Sequence, residues 1–258
     1  MLSFGAIKNS DNKYLLPAKQ TGKSQAAIFA LTWNRLDYSK YCFTTLFEKA
    51  GVPFDFYVVD NGSTDGTVEW LQCNEQVGRI KRVVYKKENE GIGAAFLSII
   101  PEIEKDGWDW MVPTGNDIEV VSDNILKEIV EFSRYTKGKF FFGPKVYGIR
   151  SKIRVFKEYE MKGHPVEEID VNGGILQTYL ISILKEFLSD HQWNANQFCR
   201  WSRGTYGVKH LYLADLRVNH FETTEGQKKR YPNYPTRDWG IGKKGGCLLY
   251  TSPSPRDS

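Results

Sequence analysis

The sequence lacks any long apolar run. No stretch approaches the roughly 18 apolar residues that a membrane-spanning helix needs, and the first residues contain no apolar core of the length that a secretory signal has. Cysteine is also scarce. The four cysteines lie far apart and show no paired spacing typical of a metal site. We therefore expect a reduced, cytoplasmic protein with no transmembrane segment.

A large excess of charge of one sign is missing as well. The chain has 35 lysines and arginines against 31 aspartates and glutamates, and the net charge of +4 is too small to indicate a nucleic-acid-binding protein. Hydrophobic residues make up 41% of the 258 residues, which is enough for the core of one large α/β domain or of two small ones. We expect no nucleic-acid partner.

The stretch from Phe54 to Thr67 is the most informative part of the sequence. It opens with aromatic and β-branched residues, which are typical of a strand buried on both faces of a parallel sheet. The run stops at Asp60, and Asn61-Gly62 predicts a tight turn because both residues tolerate a positive φ. The strand therefore carries a carboxylate to the edge of the sheet at which open α/β proteins bind their ligands.

The end of this strand and its turn, Val-Val-Asp-Asn-Gly-Ser-Thr-Asp-Gly-Thr, resemble the second-strand signature of the family 2 (GT-A fold) glycosyltransferases. Four further segments resemble the same family in the same order. The resemblance implies an α/β fold of the GT-A type, a three-layer sandwich with a mostly parallel central sheet. It also implies that Asp60 accepts a hydrogen bond from the base of a sugar nucleotide. A simple turn at the strand end is the alternative role for Asp60.

Two more segments resemble parts of the family that touch the nucleotide. Thr32-Trp33-Asn34-Arg35 follows the first predicted strand, and the resemblance implies that Arg35 can reach a phosphate. Asn89-Glu90-Gly91-Ile92-Gly93 follows the third predicted strand, and its small residues would let the backbone approach a nucleotide closely. The candidate residues for binding the sugar nucleotide are Thr32, Asn34, Arg35, Asp60, Asn61, Gly62, Asn89, Gly91, Gly93 and Asn116.

The fourth predicted strand ends at Thr114-Gly115-Asn116-Asp117, where the family carries an Asp-x-Asp or related motif. The resemblance implies that Asp117 binds a divalent ion, Mn²⁺ or Mg²⁺, and that His220 is a further ligand. Carboxylate oxygen and neutral imidazole suit such ions. Gly115 stands where the family usually has Asp or Asn, so this site offers fewer carboxylates. The alternative is that Asn116-Asp117 only forms a turn.

The family's acidic pair, which supplies the catalytic base, has no direct counterpart in this chain. The resemblance places it near Phe198-Cys199, at Asn194 or Ala195, and neither residue can take a proton. Asp190 is the nearest carboxylate and is therefore the candidate base. A shifted base, a different alignment of this segment and an inactive enzyme all remain open.

The reaction implied by the resemblance is transfer of a sugar from a nucleoside diphosphate sugar, expected to be a UDP-sugar, to a hydroxyl acceptor. It would be assisted by a metal ion and would invert the anomeric carbon. The acceptor, whether glycan, lipid-linked or protein, is not indicated. A catalytically silent domain that binds a sugar nucleotide is the alternative. A nucleotidyltransferase is a third possibility, but the first strand ends without the Lys/Arg-glycine loop that it requires.

The second half of the chain carries a weaker pattern. We predict a strand from Val171 to Thr178, a helix from Tyr179 to Leu188, and a hairpin or a long loop between residues 152 and 171. His164 is expected in a surface loop without a partner. His210 is expected to face solvent at the start of the last strand.

Four segments are expected along the chain. Residues 1–25 would form a polar extension and residues 26–222 the GT-A domain. Residues 223–246 are basic and aromatic, and would either fold over a diphosphate or form a solvated tail. Residues 247–258 resemble a translated sequencing adapter, so we interpret them as a non-native tail.

Overall fold

The computed structural model describes residues 15–136, 138–148, 153–171 and 174–220. The predicted loop at 223–246 and the predicted tail at 247–258 lie outside these residues, as does most of the predicted N-terminal extension. Of that extension, Leu16 is buried and its backbone N–H donates to Oδ1 of Asn74 at 2.8 Å. None of the helices in the described ranges is long and apolar enough to cross a membrane.

The first sheet is mostly parallel. Its five strands lie in the order β3-β2-β1-β4-β9, and only β9 runs antiparallel to its neighbour. The strands are β1 (Ala27–Thr32), β2 (Asp55–Asp60), β3 (Arg82–Tyr85), β4 (Trp110–Thr114) and β9 (Tyr179–Leu180). All residues of β1 and β2 are buried, as their apolar composition predicts.

Helices cover both faces of this sheet, because successive residues of a strand point to opposite sides. Ile28 and Ala30 pack in one cluster with Phe43 of α1. Phe29 packs on the other side against Phe96 of α3, with ring centroids 5.2 Å apart. The helices are α1 (Leu36–Lys49), α2 (Thr67–Gln76), α3 (Gly91–Lys105), α4 (Ile125–Thr136), α5 (Ile181–Asp190) and α6 (Ala195–Tyr206).

A second sheet brings the end of the described chain back to the end of β4. Its order is β5-β10-β8-β7, and β6 also pairs with β10. The strands are β5 (Ile118–Val120), β6 (Phe140–Tyr147), β7 (Val155–Met161), β8 (His164–Ile169) and β10 (Lys209–His220). Because β10 pairs antiparallel with β5, His220 lies opposite Ile118 and therefore beside Asp117.

The segment between the two sheets differs from its prediction. The predicted strand from Val171 to Thr178 is wrong, since the described residues 174–178 form no strand and the helix begins only at Ile181. Leu176 has a φ of +50°, which interrupts an extended run, and its N–H donates to the carbonyl of Pro113. This segment therefore bridges the sheets. The open choice between hairpin and loop resolves as the β7–β8 hairpin.

Both histidine predictions are wrong. His210 is fully buried and Nε2 lies 3.0 Å from Oγ of Ser202. Burial, reinforced by the charge of Arg203, lowers the pKa of His210 to about 3, so this side chain is neutral. His164 begins β8 and its Nδ1 lies 2.9 Å from Oδ2 of Asp215. Each partner lies on or beside a different element from its histidine, so the sequence pattern gave no sign of these contacts.

Asp55, at the start of β2, anchors a polar network that makes stability sensitive to acid. Its carboxylate accepts hydrogen bonds from Ser24 Oγ at 2.8 Å, Lys81 Nζ at 3.0 Å and Trp108 Nε1 at 3.1 Å. Burial by itself would raise the pKa of Asp55, but these hydrogen bonds outweigh it and the pKa is lowered. Their stabilisation is therefore present above the unfolded pKa of about 3.9 and is lost as pH falls through the folded pKa.

Asp55→Asn is expected to lower the free energy of unfolding at pH 7 by about 1–3 kcal/mol, because hydrogen bonds to a charged group are lost. Below pH 4 the difference from the wild type should shrink. Urea unfolding at both pH values measures it. Asp123→Asn serves as the control, since the Asp123 side chain is 81% exposed. A difference for Asp55→Asn that is independent of pH would contradict this account.

Candidate functional site

Most of the candidate residues gather at the carboxyl ends of β1, β2 and β4. Thr32, the last residue of β1, pairs with Asp60, the last residue of β2. Ala30 pairs with Thr114 on the other side of β1, which places the Gly115-Asn116-Asp117 segment on the same edge. This is the edge where open α/β sheets bind ligands.

Asp60 is fully buried and its carboxylate holds the turn that follows it. Oδ1 accepts hydrogen bonds from Thr32 Oγ1 at 2.9 Å and from Ser63 Oγ at 2.5 Å. Oδ2 accepts one from Ser63 N at 2.9 Å. A carboxylate has about four acceptor positions, so three of those of Asp60 are used inside the protein. Its main task in this structure is to fix the loop after β2.

Gly62 lets this turn lie against the next loop. It has a φ of +78°, and a Cβ atom there would lie 2.9 Å from Cα of Glu88 and 3.0 Å from the carbonyl oxygen of Lys87. Both neighbours are backbone atoms, which cannot move aside cheaply. The turn after β2 is thereby packed against the segment that leads to Asn89.

The amide of Asn61 is oriented by Asn89. Oδ1 of Asn89 accepts hydrogen bonds from Gly91 N and from Asn61 Nδ2, both at 3.0 Å. Because that oxygen is the acceptor, Asn61 must turn its NH₂ group toward it. Oδ1 of Asn61 is buried and has no hydrogen-bond partner among the residues that the structure describes. A buried acceptor of this kind calls for a donor from outside the described residues, such as a bound ligand.

The loop after β1 has an unusual backbone that the loop after β2 holds in place. Asn34 and Arg35 have φ values of +54° and +62°, which are uncommon for residues other than glycine. Asn34 N donates to Ser63 Oγ at 2.7 Å, and Leu36 N donates to Asp65 Oδ2 at 2.9 Å. These contacts fix the direction in which Arg35 leaves the strand.

The guanidinium of Arg35 lies against Asn116 and Asp117. Its Nη2 donates to Asn116 Oδ1 at 2.7 Å, and its Nη1 lies 3.4 Å from Asp117 Oδ2. Burial by itself would raise the pKa of Asp117, but His220 and Arg35 outweigh it and the pKa is lowered. Asp117 is therefore ionised at neutral pH.

Asp117 and His220 are brought together as the resemblance implies, with Oδ1 of Asp117 3.5 Å from Nε2 of His220. That oxygen is buried and has no hydrogen-bond partner in the described part of the chain. Both atoms can bind a divalent ion. However, no group of three or more His, Cys, Asp or Glu residues able to hold a metal occurs among the described residues. The two residues could fill two ligand positions of a divalent ion, and its other ligands would have to come from outside the described residues.

Asp190 and the predicted positions of the missing base lie at the connection between α5 and α6. Asp190 is the exposed last residue of α5, whereas Asn194 caps α6 by accepting a hydrogen bond from Gln197 N at 2.9 Å. A Cβ atom at Gly93, near the start of α3, would lie 3.3 Å from Cβ of Trp193. This connection therefore passes close to the start of α3.

Sequence reasoning missed three side chains that shape the site. Ser63 links Asp60 to Asn34, Ser39 accepts a hydrogen bond from Asn116 Nδ2 at 3.0 Å, and the Tyr38 ring lies 5.6 Å from the Arg35 guanidinium. Ser63 stands inside the recognised motif, so it could have been found there. The other two lie on α1, and their role depends on a contact between distant segments.

The comparisons with known proteins point in one direction. The family model described as glycosyl transferase family 2 matches residues 28–166, which is more than half of the chain. A search of curated proteins finds no match. Solved structures with a similar fold include three transferases of low sequence identity.

These three structures resemble the chain only in part of their own length. S. aureus TarS 1-349 in complex with UDP-GlcNAc has a TM-score of 0.52 and 14% identity, over 75% of this chain and 57% of that one. GalNAc-T7 with UDP, GalNAc and Mn²⁺ has a TM-score of 0.54 and 12% identity, over 76% of this chain and 43% of that one. Mannosyltransferase PcManGT from Pyrobaculum calidifontis with GDP-Man and Mn²⁺ has a TM-score of 0.55 and 11% identity, over 83% of this chain and 62% of that one. At such identities the likeness shows the fold, which is the GT-A fold.

Proposed function

Because the chain belongs to glycosyl transferase family 2, we propose that it transfers a sugar from a nucleoside diphosphate sugar to a hydroxyl group of an acceptor. The observation that carries this proposal is the buried acceptor oxygen of Asn61 at the strand edge that also presents Arg35, Asp117 and His220. A nucleoside diphosphate needs a hydrogen-bond acceptor for its base and, at a neighbouring position, cationic or metal-binding groups for its diphosphate. The UDP-GlcNAc and UDP bound to two of the similar structures support a UDP-sugar as donor.

Asn61 is proposed to recognise the base, with Asp60 positioning it. Uracil presents a single imide N–H, which matches the single free oxygen of the Asn61 amide. Guanine presents an N–H and an adjacent NH₂ group, a pair better matched by two acceptor oxygens. Because Asn61 Nδ2 donates to Asn89, the Asn61 amide is oriented so that only its single oxygen can accept a hydrogen bond from the base. Uridine is therefore the proposed nucleoside. Thr32, Gly62 and Gly91 shape the backbone around it.

Charge on the departing diphosphate is the main electrostatic demand of the reaction. A divalent ion, Mn²⁺ or Mg²⁺, would offset part of that charge when bound. Asp117 and His220 would hold the ion, and Arg35 would donate hydrogen bonds to phosphate oxygens. The Mn²⁺ in two of the similar structures supports this proposal.

The acceptor hydroxyl is a poor nucleophile, so a general base must take its proton. Asp190 is proposed for this role, because Asn194 is engaged as a helix cap and carries no basic group. Attack from the face opposite the leaving diphosphate would invert the anomeric carbon. The cytoplasmic location stays a prediction, and the acceptor class is open.

A second candidate function is a silent domain that binds the sugar nucleotide without transferring the sugar. It is favoured by the position of Asp190, which is exposed at a helix end. A UDP-release assay with a panel of UDP-sugars and varied acceptors separates the two. Release that depends on the acceptor supports the transferase. Donor binding without any release, from folded protein and across the panel, supports the silent domain.

A further inference from the structure

The connection between α5 and α6 holds a tryptophan whose indole N–H has no acceptor. Nε1 of Trp193 is buried and has no hydrogen-bond partner in the part of the chain that the structure describes. Buried indole N–H groups usually find a partner, because an unmade hydrogen bond inside a protein is costly. The indole nitrogen can only donate, so the missing partner is an acceptor such as an oxygen atom.

The indole is fixed in place by its packing. Its ring centroid lies 4.7 Å from that of Phe96 on α3 and 5.3 Å from that of Phe198 on α6. Tyr179 of β9 lies on a further side, at 6.2 Å. Trp193 is 9% exposed, and the next residue before it, Gln192, is exposed. The indole is therefore held rigidly just beneath the surface of the connection.

The start of α3 links this tryptophan to the proposed base site. Oδ1 of Asn89 accepts hydrogen bonds from Asn61 Nδ2 and from Gly91 N, both at 3.0 Å. Two residues further on, a Cβ atom at Gly93 would lie 3.3 Å from Cβ of Trp193. The turn that orients Asn61 and the connection that carries Trp193 therefore pack on the same end of α3.

The order of the strands gives the direction in which the donor extends. Asn61 follows β2, Arg35 follows β1 by three residues, and Asp117 follows β4 by three residues. The strands β2, β1, β4 and β9 are neighbours in this order, and adjacent strands lie about 4.8 Å apart. With the base at Asn61 and the diphosphate beside Arg35, the sugar extends toward β9 and the α5–α6 connection.

We propose that the indole N–H of Trp193 donates a hydrogen bond to an oxygen of the donor sugar, and that Trp193 thereby helps to select that sugar. The inference rests on the proposed function and adds the sugar-binding side of the same site. Hexoses that differ in one hydroxyl group present their oxygens at different positions. A rigid donor favours the sugar whose oxygen lies in line with it, and a buried donor left unpaired disfavours the others.

Calorimetric titration of the full chain with UDP, UDP-glucose, UDP-galactose, UDP-GlcNAc and UDP-GalNAc tests this inference. Trp193→Phe removes the N–H and keeps an aromatic ring. It is expected to weaken binding of the tightest UDP-sugar by about 10-fold, the effect of one buried hydrogen bond. Binding of UDP should equal that of the wild type, and the differences among the four UDP-sugars should shrink.

Trp201→Phe is the matched control, because Trp201 packs on the same aromatic cluster through Phe187 and Phe198. It should leave all five affinities unchanged. Equal weakening of UDP and UDP-sugar by Trp193→Phe, or equal losses in both variants, would show a packing role and overturn the inference. Unchanged affinities in Trp193→Phe would overturn it as well, as would a wild type that binds UDP but none of the four UDP-sugars. A folded wild type that binds none of the five ligands would overturn the proposed function too.

Discussion

Asp190→Asn is expected to lower the rate of sugar transfer by about 10²–10⁴-fold, the usual contribution of a positioned general base. UDP binding should stay at the wild-type level, because Asp190 lies on the α5–α6 connection and makes no contact with Asn61, Arg35 or Asp117 in the hydrogen bonds of the described residues. The amide keeps the shape of the side chain but cannot accept the proton. Rates under single turnover and UDP titrations measure the two effects separately.

The matched control is Glu186→Gln, which removes a carboxylate one turn earlier on the same helix. It should leave transfer unchanged. If Asp190→Asn transfers sugar as fast as the wild type, the base lies elsewhere and the assignment of Asp190 is wrong. The loss is also expected to be independent of the UDP-sugar concentration, since binding of the donor is not altered.

Asn61→Leu is expected to weaken UDP binding by about 10- to 100-fold, because the imide N–H of uracil loses its acceptor inside a buried site. Leucine has nearly the same shape as asparagine, and it removes an oxygen that has no partner among the described residues together with the Nδ2 donor to Asn89. The free energy of unfolding should therefore fall by only about 1 kcal/mol, the usual effect of losing one hydrogen bond. Titration of UDP and urea unfolding on the same variant distinguish a binding role from a structural one.

Asn61→Asp provides the comparison. Its carboxylate keeps an acceptor oxygen toward the base, so UDP binding should weaken less than in Asn61→Leu. It also faces Oδ1 of Asn89 with an oxygen instead of an NH₂ group, which should lower stability. Unchanged UDP affinity in Asn61→Leu would remove Asn61 from the base site.

The central sheet and its ligand-binding edge were predictable, because they depend on local patterns. The apolar runs ending at Thr32 and Asp60 identify strands, and the Asn61-Gly62 pair identifies the turn. Parallel strands with short connections then bring their carboxyl ends together. The GT-A fold predicted from the resemblance is confirmed by the architecture and by the similar structures.

The contacts that each residue of the site makes were not predictable from sequence. The motif suggested that Asp60 faces the base, but its hydrogen bonds to Thr32 and Ser63 direct it into the protein. The amide oxygen of Asn61 is instead the buried acceptor that has no partner among the described residues. The contact of Arg35 with Asp117 joins segments 82 residues apart. Such contacts depend on how loops pack against one another, which neither periodicity nor spacing encodes.

The second sheet shows the same limit. His210 was expected in solvent because it begins a strand, yet α6 covers it and Ser202 supplies its hydrogen bond. The strand predicted from Val171 to Thr178 failed because its apolar residues bridge two sheets instead of joining one. Burial in both cases is decided by long-range packing.

The most direct test of the whole account is an experimental structure of the protein with UDP and Mn²⁺. We expect the uracil N3–H to donate to Oδ1 of Asn61 and the diphosphate to contact Arg35 beside Asp117 and His220. A nucleotide bound elsewhere, or a base that leaves Asn61 beyond hydrogen-bonding distance, would contradict the proposed donor site.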